Sequence, residues 1–300
     1  MSTVRTAVLP VAGWGTRFLP VTKAVPKEML PIVDRPCLAY VVAEAVLAGV
    51  DNIVLVTARG KTSMEDYFDR SPALEATLEA AGKKELLAEV VAITRHATVI
   101  SVRQQEQRGL GHAVLMAAPV IGDHDFAVLL PDDIVDGRVW SATGALTGED
   151  PALGQLLRVH AESGGVVVAL KEVPHEDTRR YGICAGAFVT PDRMKIERMV
   201  EKPRPENAPS NFSIVGRYVL PGSIFALLRE QAPGAIGEVQ LTDALAVYAA
   251  RGEAQGVVFT GAHFDTGNPV GLLDAQLHFA TRHPAYGEAA RAVVRRYADR

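Results

Sequence analysis

LPVAGWGTRFLPVTKAVPKEMLP, residues 9–31, runs from a buried strand into a glycine turn and then departs from both common phosphate-loop patterns. Gly13 and Gly15 supply the first two glycines of a dinucleotide fingerprint, but Phe18 stands where the third belongs. No acidic residue closes the second apolar strand, where Thr57-Ala58-Arg59 stands instead. A Walker loop fails for want of a Gly-Lys-Ser/Thr ending. Three cations, Arg17, Lys23 and Lys27, follow the glycines, and Pro20, Pro26 and Pro31 oppose a regular helix across them. The expectation is a rigid extended loop with glycine amides at one end and cations along it, able to wrap a polyphosphate. The competing reading is a solvated basic loop.

Outward from that stretch, residues 6–11, 52–57, 98–102 and 126–130 are short apolar, β-branched runs. Residues 38–48 and 111–120 carry helical patterns between them. Strands separated by helix-length segments imply crossover connections and a mostly parallel sheet covered on both faces. Such sheets bind ligands beyond the carboxyl ends of their strands. Three ends carry unusual punctuation: the glycine loop after Val11, RQQEQRGLGHA after Val102 and PDDIVDG after Leu130. Parallel strands would put all three on one edge.

Residues 72–91 read as two short helices interrupted by Ala-Gly-Lys-Lys. Residues 165–170, 181–189 and 212–220 read as strands, the second of them a hairpin arm, and EKPRPENAPSN, residues 201–211, reads as a loop. From Thr242 onward helices dominate, ending in a charged amphipathic tail over residues 287–300.

The chain has 300 residues, 48% of them hydrophobic, which is enough for one large domain or two modest ones. A formal charge of −4 argues against a nucleic-acid polymer as partner. The two cysteines, Cys37 and Cys184, form no CxxC or Cys/His ligand spacing, so disulfide frameworks and structural zinc are poor readings. Cys37 opens an apolar helix, where packing is the simpler role. The opening MSTVRTAVLPVAG does not look like a secretory leader, and no apolar run reaches the roughly 18 residues of a membrane helix. The expected setting is the cytoplasm, without membrane attachment.

GxGTRxxPxTKxxPKEMLP resembles the opening of the sugar-1-phosphate nucleotidyltransferase family. RQQEQRGLGHAV, LPDDIVD, RRYGI, VEKPRPENAPSNFSIVGRYVL, GEVQLTDAL and FDTGN are similar to that family's segments, in the same order, over roughly residues 5–282. The helical insertion at residues 71–91 resembles the uridylyltransferase members more than the shorter thymidylyltransferases. The resemblance implies an α/β fold with a Rossmann-like, mostly parallel central sheet flanked by helices, a smaller sugar-binding β region and C-terminal helices. It also implies a single nucleotidyltransferase domain: a nucleotide-binding half near residues 1–135, a sugar-binding half near 136–270, and helices over 271–300. The implied reaction joins UTP and α-D-glucose 1-phosphate to give UDP-glucose and pyrophosphate, with Mg²⁺ as cofactor and a homo-oligomer, dimer or tetramer, as the working form. Alternatives are a thymidylyltransferase or another sugar-1-phosphate nucleotidyltransferase, or a catalytically silent nucleotide-sugar-binding paralogue.

Carried onto this chain, the resemblance puts Lys27 on the α-phosphate and Arg17 on the leaving β,γ-phosphates. Ala12, Gly13 and Gly15 hold the nucleotide from the loop, and Lys23 is either a further phosphate contact or solvated. Gln104 and Gly109 face the pyrimidine; an amide both donates and accepts, as an imide edge requires, without separating UTP from dTTP. His112 is read as a packing or polar residue of the following helix. Asp132 and Asp265 are carboxylates at loop ends, a setting that suits Mg²⁺, and the resemblance makes them its ligands, with Asp132 also at the nucleotide and Asp133 in the sugar site. Gly182, Glu201, Val215 and Gly216 line the sugar site, Lys202 pairs with the sugar phosphate, and Asn211 borders the pocket. Glu238 and Asp243 either line the pocket or organise a helix start, with Thr242 as an N-cap. Trp14 is bulkier than the family pattern and either packs under the loop or influences the nucleotide.

Overall fold

The computed structural model describes residues 4–95, 97–136, 146–148, 150–232 and 237–298. Strand β1 (Thr6–Pro10) leads through 3₁₀ turns at Thr16–Phe18, Val21–Lys23 and Lys27–Met29 to the small antiparallel pair β2 (Pro31–Ile32) and β3 (Arg35–Pro36). There follow α1 (Cys37–Leu47), β4 (Asn52–Thr57), α2 (Ser63–Phe68), α3 (Pro72–Ala80), α4 (Lys84–Ile93) and β5 (Thr98–Arg103). Next come α5 (Leu110–Met116), α6 (Ala118–Ile121), β6 (Phe126–Leu129), β7 (Asp133–Asp136), α7 (Ala152–Ser163) and β8 (Val166–Glu172). The hairpin β9 (Gly182–Thr190) and β10 (Arg193–Glu201) precedes β11 (Phe212–Leu220), α8 (Ile224–Glu230) and α9 (Leu241–Ala250). The chain ends through β12 (Ala254–Val258), β13 (Ala262–Asp265), α10 (Pro269–Arg282) and α11 (Gly287–Ala298).

Nine described strands form one sheet in the order β5-β4-β1-β6-β11-β8-β12-β10-β9. The β5-β4-β1-β6 block is parallel throughout, as the alternation of strand and helix requires. β8 and β12 are parallel to each other, whereas β11 and β10 run antiparallel to their neighbours. The start of β11 also pairs with β9, so the last five strands close on themselves. In β1, Ala7 and Leu9 join the core on one face, packed under α1 and α7, while Val8 joins the core on the other, under α5, α8 and α9. Both faces of the sheet are thereby covered.

Several expectations shift in detail. The cation-bearing stretch, residues 16–29, is not an extended loop: the prolines block an α-helix but tolerate single 3₁₀ turns, and three such turns carry Arg17, Lys23 and Lys27. The helix expected over 111–120 breaks at Ala117, because Pro119 fits only the first turn of a new helix. β7, β10 and β13 are not expected from the sequence, the last lying inside a region expected to be mainly helical. β10 buries Met194, Ile196 and Met199 among charged residues, with irregular pairing that blurs its alternation. The tail is helical to Ala298, and residues 299–300 lie outside the described part. No helix of the described residues is long and apolar enough to cross a membrane.

One buried ion pair ties the halves together. Arg217, fully buried on β11, donates from Nε to both oxygens of Glu44 on α1 at 3.1 Å and from Nη2 to Glu44 Oε2 at 2.8 Å. The same guanidinium donates to the carbonyls of Leu130 (3.3 Å), Gly216 (3.1 Å) and Asp133 (2.6 Å). Glu44 Oε1 accepts the Leu153 amide at the start of α7 (3.0 Å). Burial disfavours the charged guanidinium, but Glu44, Asp133 and Asp132 together hold its pKa above the ordinary value. Removing one partner strands the other charge in the core, so Glu44→Gln is expected to lower the unfolding free energy by about 3–5 kcal/mol in urea titrations. A loss below about 1 kcal/mol would show that the pair is dispensable.

Candidate active site

The chain leaves β1 at Val11, whose amide still bonds Val56 O of β4 (2.9 Å) before the glycine loop diverges. Gly15 takes φ 65°, and a Cβ there would press to 3.1 Å against the Lys27 stem and Thr22. The turn thus requires a residue without a side chain, for both backbone and space. Thr22 Oγ1 closes it by donating to Gly15 O (2.8 Å). Lys27 is held partly buried, its Nζ 2.5 Å from Asp132 Oδ2. Burial works against its charge, yet Asp132, Glu28 and Asp133 keep the ammonium pKa above the usual lysine value. Asp132 is the mirror case: desolvation pushes its carboxyl up, and Lys27 and Arg17 more than offset it, leaving the pKa lowered.

β7 and β13 pair antiparallel, with Asp133 opposite Asp265 in register. The Thr266 amide (2.7 Å) and hydroxyl (2.9 Å) donate to the Asp132 carbonyl, bringing the FDTGN turn against the LPDD turn. Gly267 separates the two carboxylates: a Cβ there would lie 2.8 Å from Asp132 Oδ2 and 3.0 Å from Asp265 Oδ1. Arg17 reaches the same turn, Nη1 to Gly267 O at 3.4 Å. Asp265 Oδ1 accepts the Gly267 amide (3.0 Å), and Oδ2 accepts from Arg180 (3.1 Å) and Asn268 (3.2 Å). Two hard oxygen donors facing a cradle that any side chain at 267 would fill are a fit for Mg²⁺ completed by phosphate and water. Among the described residues no three His, Cys, Asp or Glu side chains gather into an all-protein metal cage.

After β5, Gln104 is buried, its backbone amide bonded to Thr57 O (2.8 Å). Its Nε2 donates to Gly109 O at 3.4 Å and lies 2.9 Å from His112 Nδ1. Burial and the neighbouring Arg108 lower the His112 pKa, which suits a neutral ring accepting at Nδ1. Both amide protons are then engaged, and Oε1 is left to meet the N–H of a ligand. His112 lies on α5 and takes the polar of its two expected roles, holding the Gln104 amide. Gly109 has φ 96°, and a Cβ would lie 2.8 Å from Val239 O and from Glu238 Cβ, so the RGLG turn needs glycine to dock against the Glu238 segment. The neighbouring Gln107 donates to Ala12 O (2.7 Å), joining this loop to the glycine loop.

On the other side lies a cavity of about 130 Å³ lined by Asp133, Lys171, Tyr181, Val215, His263 and Asp265, among others. Asp133 faces it with Oδ1 2.7 Å from His263 Nε2, and its Oδ2 fills the space above Gly216, where a Cβ would come to 2.4 Å. Gly182 is packed similarly against Glu201 Oε2 and Thr242 Oγ1. Glu201 Oε2 accepts from Thr242 Oγ1 (2.6 Å), and its Oε1 lies 3.5 Å from Lys202 Nζ. Lys202 adopts φ 44°, an uncommon left-handed conformation for a side-chain-bearing residue, and does so before a proline, with its amide on Tyr181 O (3.0 Å).

The structure therefore brings Lys27, Arg17, Asp132, Asp133 and Asp265 together, and Gly182, Glu201 and Lys202 into a second group beside Tyr181. Some candidates fall outside both. Lys23 is exposed on its turn, and Trp14 is 72% exposed rather than packed under the loop. Thr242 is not an N-cap: Gln240 holds that place, and the Thr242 hydroxyl serves Glu201 from inside α9. Glu238 and Asp243 are taken up by Gln240 (2.9 Å) and Gln231 (3.2 Å), and Asn211 lies 3.0 Å from His175. Cys37 is buried, its thiol pKa pushed up to about 12 by desolvation, and Cys184 is buried likewise. Lys61, Gln107, Arg180 and His263 have site contacts that sequence reading missed; RRYGI contained Arg180, but nothing distinguished it from its neighbour.

The nucleotidyl transferase family model matches residues 6–282. A UTP--glucose-1-phosphate uridylyltransferase of Staphylococcus epidermidis is 41% identical over 295 residues, covering 98% of this chain and 99% of the relative. The solved structure described as UTP-bound UGPase from Acinetobacter baumannii is 42% identical, with a TM-score of 0.86, covering 97% of this chain and 98% of that one. A UDP-glucose pyrophosphorylase complexed with UDP-glucose is 37% identical, with a TM-score of 0.82, covering 93% of this chain and 100% of that one. With the match extending across every loop that builds this edge of the sheet, the chain belongs to the nucleotidyl transferase family.

Proposed function

We propose that the chain transfers a uridylyl group from UTP to α-D-glucose 1-phosphate, forming UDP-glucose and pyrophosphate. The observation that carries this reading is the convergence of Lys27 and Arg17 on the facing carboxylates Asp132 and Asp265, beside the cavity that holds Asp133. The relatives named for UTP and UDP-glucose support the choice of nucleotide and product.

In the proposed reaction a phosphate oxygen of the sugar phosphate bonds to the α-phosphorus of UTP as the bond to the bridging β-phosphate oxygen breaks, and pyrophosphate leaves in line. A phosphate monoester has a second pKa near 6, so the nucleophile is largely ionised at neutral pH and no general base is needed. The protein must align two anions and offset their repulsion. Lys27 serves the α-phosphate and Arg17 the departing phosphates, while Ala12, Gly13, Gly15, Gln104 and Gly109 hold the nucleotide. Asp132 and Asp265 would hold Mg²⁺, which when bound supplies positive charge to the nucleotide phosphates. Glu201 accepts from sugar hydroxyls, Asp133, Gly182, Val215 and Gly216 shape the sugar pocket, and Lys202 pairs with the sugar phosphate. Its left-handed backbone, costing about 1–3 kcal/mol, supports a positioned rather than an incidental charge.

The chain acts as one domain with a nucleotide half and a sugar half, a reading supported by the single sheet that crosses both. We place it in the cytoplasm, where UTP is supplied, as a homo-oligomer, dimer or tetramer; the exposed Val270, Leu273 and Leu277 on one side of α10 support self-association.

Initial rates with UTP, dTTP and CTP against glucose 1-phosphate are expected to favour UTP; equal or greater use of dTTP would give the protein to the thymidylyltransferases, and no turnover with any nucleotide would make it a silent binder. Lys202→Ala is expected to raise the glucose 1-phosphate KM by about tenfold, with UTP binding by calorimetry nearly unchanged. A sugar-phosphate response equal to wild type would remove Lys202 from the site. Asp132→Ala is expected to stay folded yet lose Mg²⁺-stimulated turnover by about 100-fold or more, with near-normal stimulation counting against its ligand role.

A further inference from the structure

We propose that Lys61 is a positioning residue of the nucleotide site, acting with Glu28 as a clamp that fixes the end of β1 against the turn carrying Lys27. The inference rests on reading this edge of the sheet as the nucleotide site. Lys61 lies in the turn beyond β4, far in sequence from both groups it holds. Its side chain is only 10% exposed, and its Nζ donates to Val11 O at 2.6 Å and to Glu28 Oε2 at 3.1 Å. Glu28, 1% exposed, sits in the Lys27–Met29 turn, immediately after Lys27. One ammonium group thus spans the two ends of the glycine loop.

Packing alone does not account for such a pair. Desolvation pushes the Glu28 carboxyl pKa up and the Lys61 ammonium pKa down, so both ions sit where charge is unfavourable. Glu28 Oε1 is buried without a hydrogen-bond partner among the described residues. Two apolar side chains would fill the same volume with less desolvation. They would not engage the carbonyl of Val11, where the chain leaves the sheet.

That carbonyl sets what the loop presents. Val11 O is turned to Lys61 and Ala12 O to Gln107 Nε2. In a trans peptide the following N–H points opposite the carbonyl, so the Ala12 and Gly13 amides face away from these two donors. Beyond Gly13 the space a Cβ would take has no atom within 4 Å, leaving room for a ligand against the backbone. The clamp also orders the charges. Lys61, Glu28, Lys27 and Asp132 alternate in sign, and Glu28 and Asp132 both act on Lys27. With Lys61 compensating Glu28, the Lys27 ammonium is left to face Asp132 and the phosphates.

The test compares Lys61→Met with the double variant Glu28→Gln/Lys61→Met, measuring thermal midpoint, UTP binding by calorimetry in Mg²⁺ buffer, and the glucose 1-phosphate KM. Lys61→Met is expected to lower the midpoint and weaken UTP about tenfold or more, as loss of a charged hydrogen bond predicts, with the sugar-phosphate KM within about twofold of wild type. The double variant leaves no unpaired buried charge, so its midpoint is expected to recover while UTP affinity does not. UTP affinity that returns with the midpoint, or that never falls in Lys61→Met, would reduce the pair to a structural role. A wild-type protein that fails to bind UTP would overturn the nucleotide-site reading along with the clamp, whereas unaffected variants of a UTP-binding protein would overturn the clamp alone.

Discussion

The buried Arg217–Glu44 pair is the constraint on which the site depends. A guanidinium in an apolar core is unfavourable unless each donor finds an acceptor, and this one finds them in α1, in β11 and in the Leu130 and Asp133 carbonyls. Two of those carbonyls flank Pro131 and Asp132. The turn that aims Asp132 at Lys27 is therefore not a free loop but the acceptor shell of a buried cation. Glu44 extends the constraint to α7 through the Leu153 amide. Helices from one layer and strands from both sequence halves are fixed relative to one carboxylate.

From that anchor the site is built largely by close backbone approach. Gly267 lets Asp132 and Asp265 share a gap, Gly216 admits Asp133, and Gly109 admits the Glu238 segment. A methyl group at any of these positions would meet an atom at 2.8 Å or less. The nearest clash is with a carboxylate at Gly267 and Gly216, and with a side chain and a backbone carbonyl at Gly109. Glycine here serves proximity more than flexibility, since Gly216 and Gly267 have no positive φ.

This explains what the sequence made legible. Runs such as NIVLVT and FSIVGRYVL announce their strands because β-branched residues fill both buried faces, and β4 and β11 fall on the expected residues. The glycines and paired acids at the strand ends were visible because topology sends parallel strand ends to one edge. Lys61, Gln107 and Arg180 were not, since a lone polar residue in a turn has the same local pattern whether solvated or engaged by a loop 50 or more residues away. Glu44 and Arg217 did leave a trace: each is a single charge inside an otherwise apolar element, CLAYVVAEAVL and FSIVGRYVL, and such a charge requires a partner. The 3₁₀ turns are not legible in the sequence because proline forbids the long helix without specifying what replaces it.

The local charge pattern also reconciles an acidic protein with anionic substrates. A net charge of −4 provides no long-range attraction for a triphosphate, so affinity must come from contact rather than steering. The site supplies contact by pairing three of its anions with cations, Asp132 with Lys27, Asp265 with Arg180, and Glu28 with Lys61, while Asp133 meets the His263 ring. Lys27 remains protonated because its carboxylate neighbours outweigh its burial, and Asp132 remains ionised for the reciprocal reason. A neutralised set of this kind holds its geometry without substrate, whereas bare lysines would repel one another and bare carboxylates would repel phosphate. In the proposed reaction an incoming polyanion with its counter-ion would exchange partners within this assembled frame, which would keep reorganisation small at the moment of transfer.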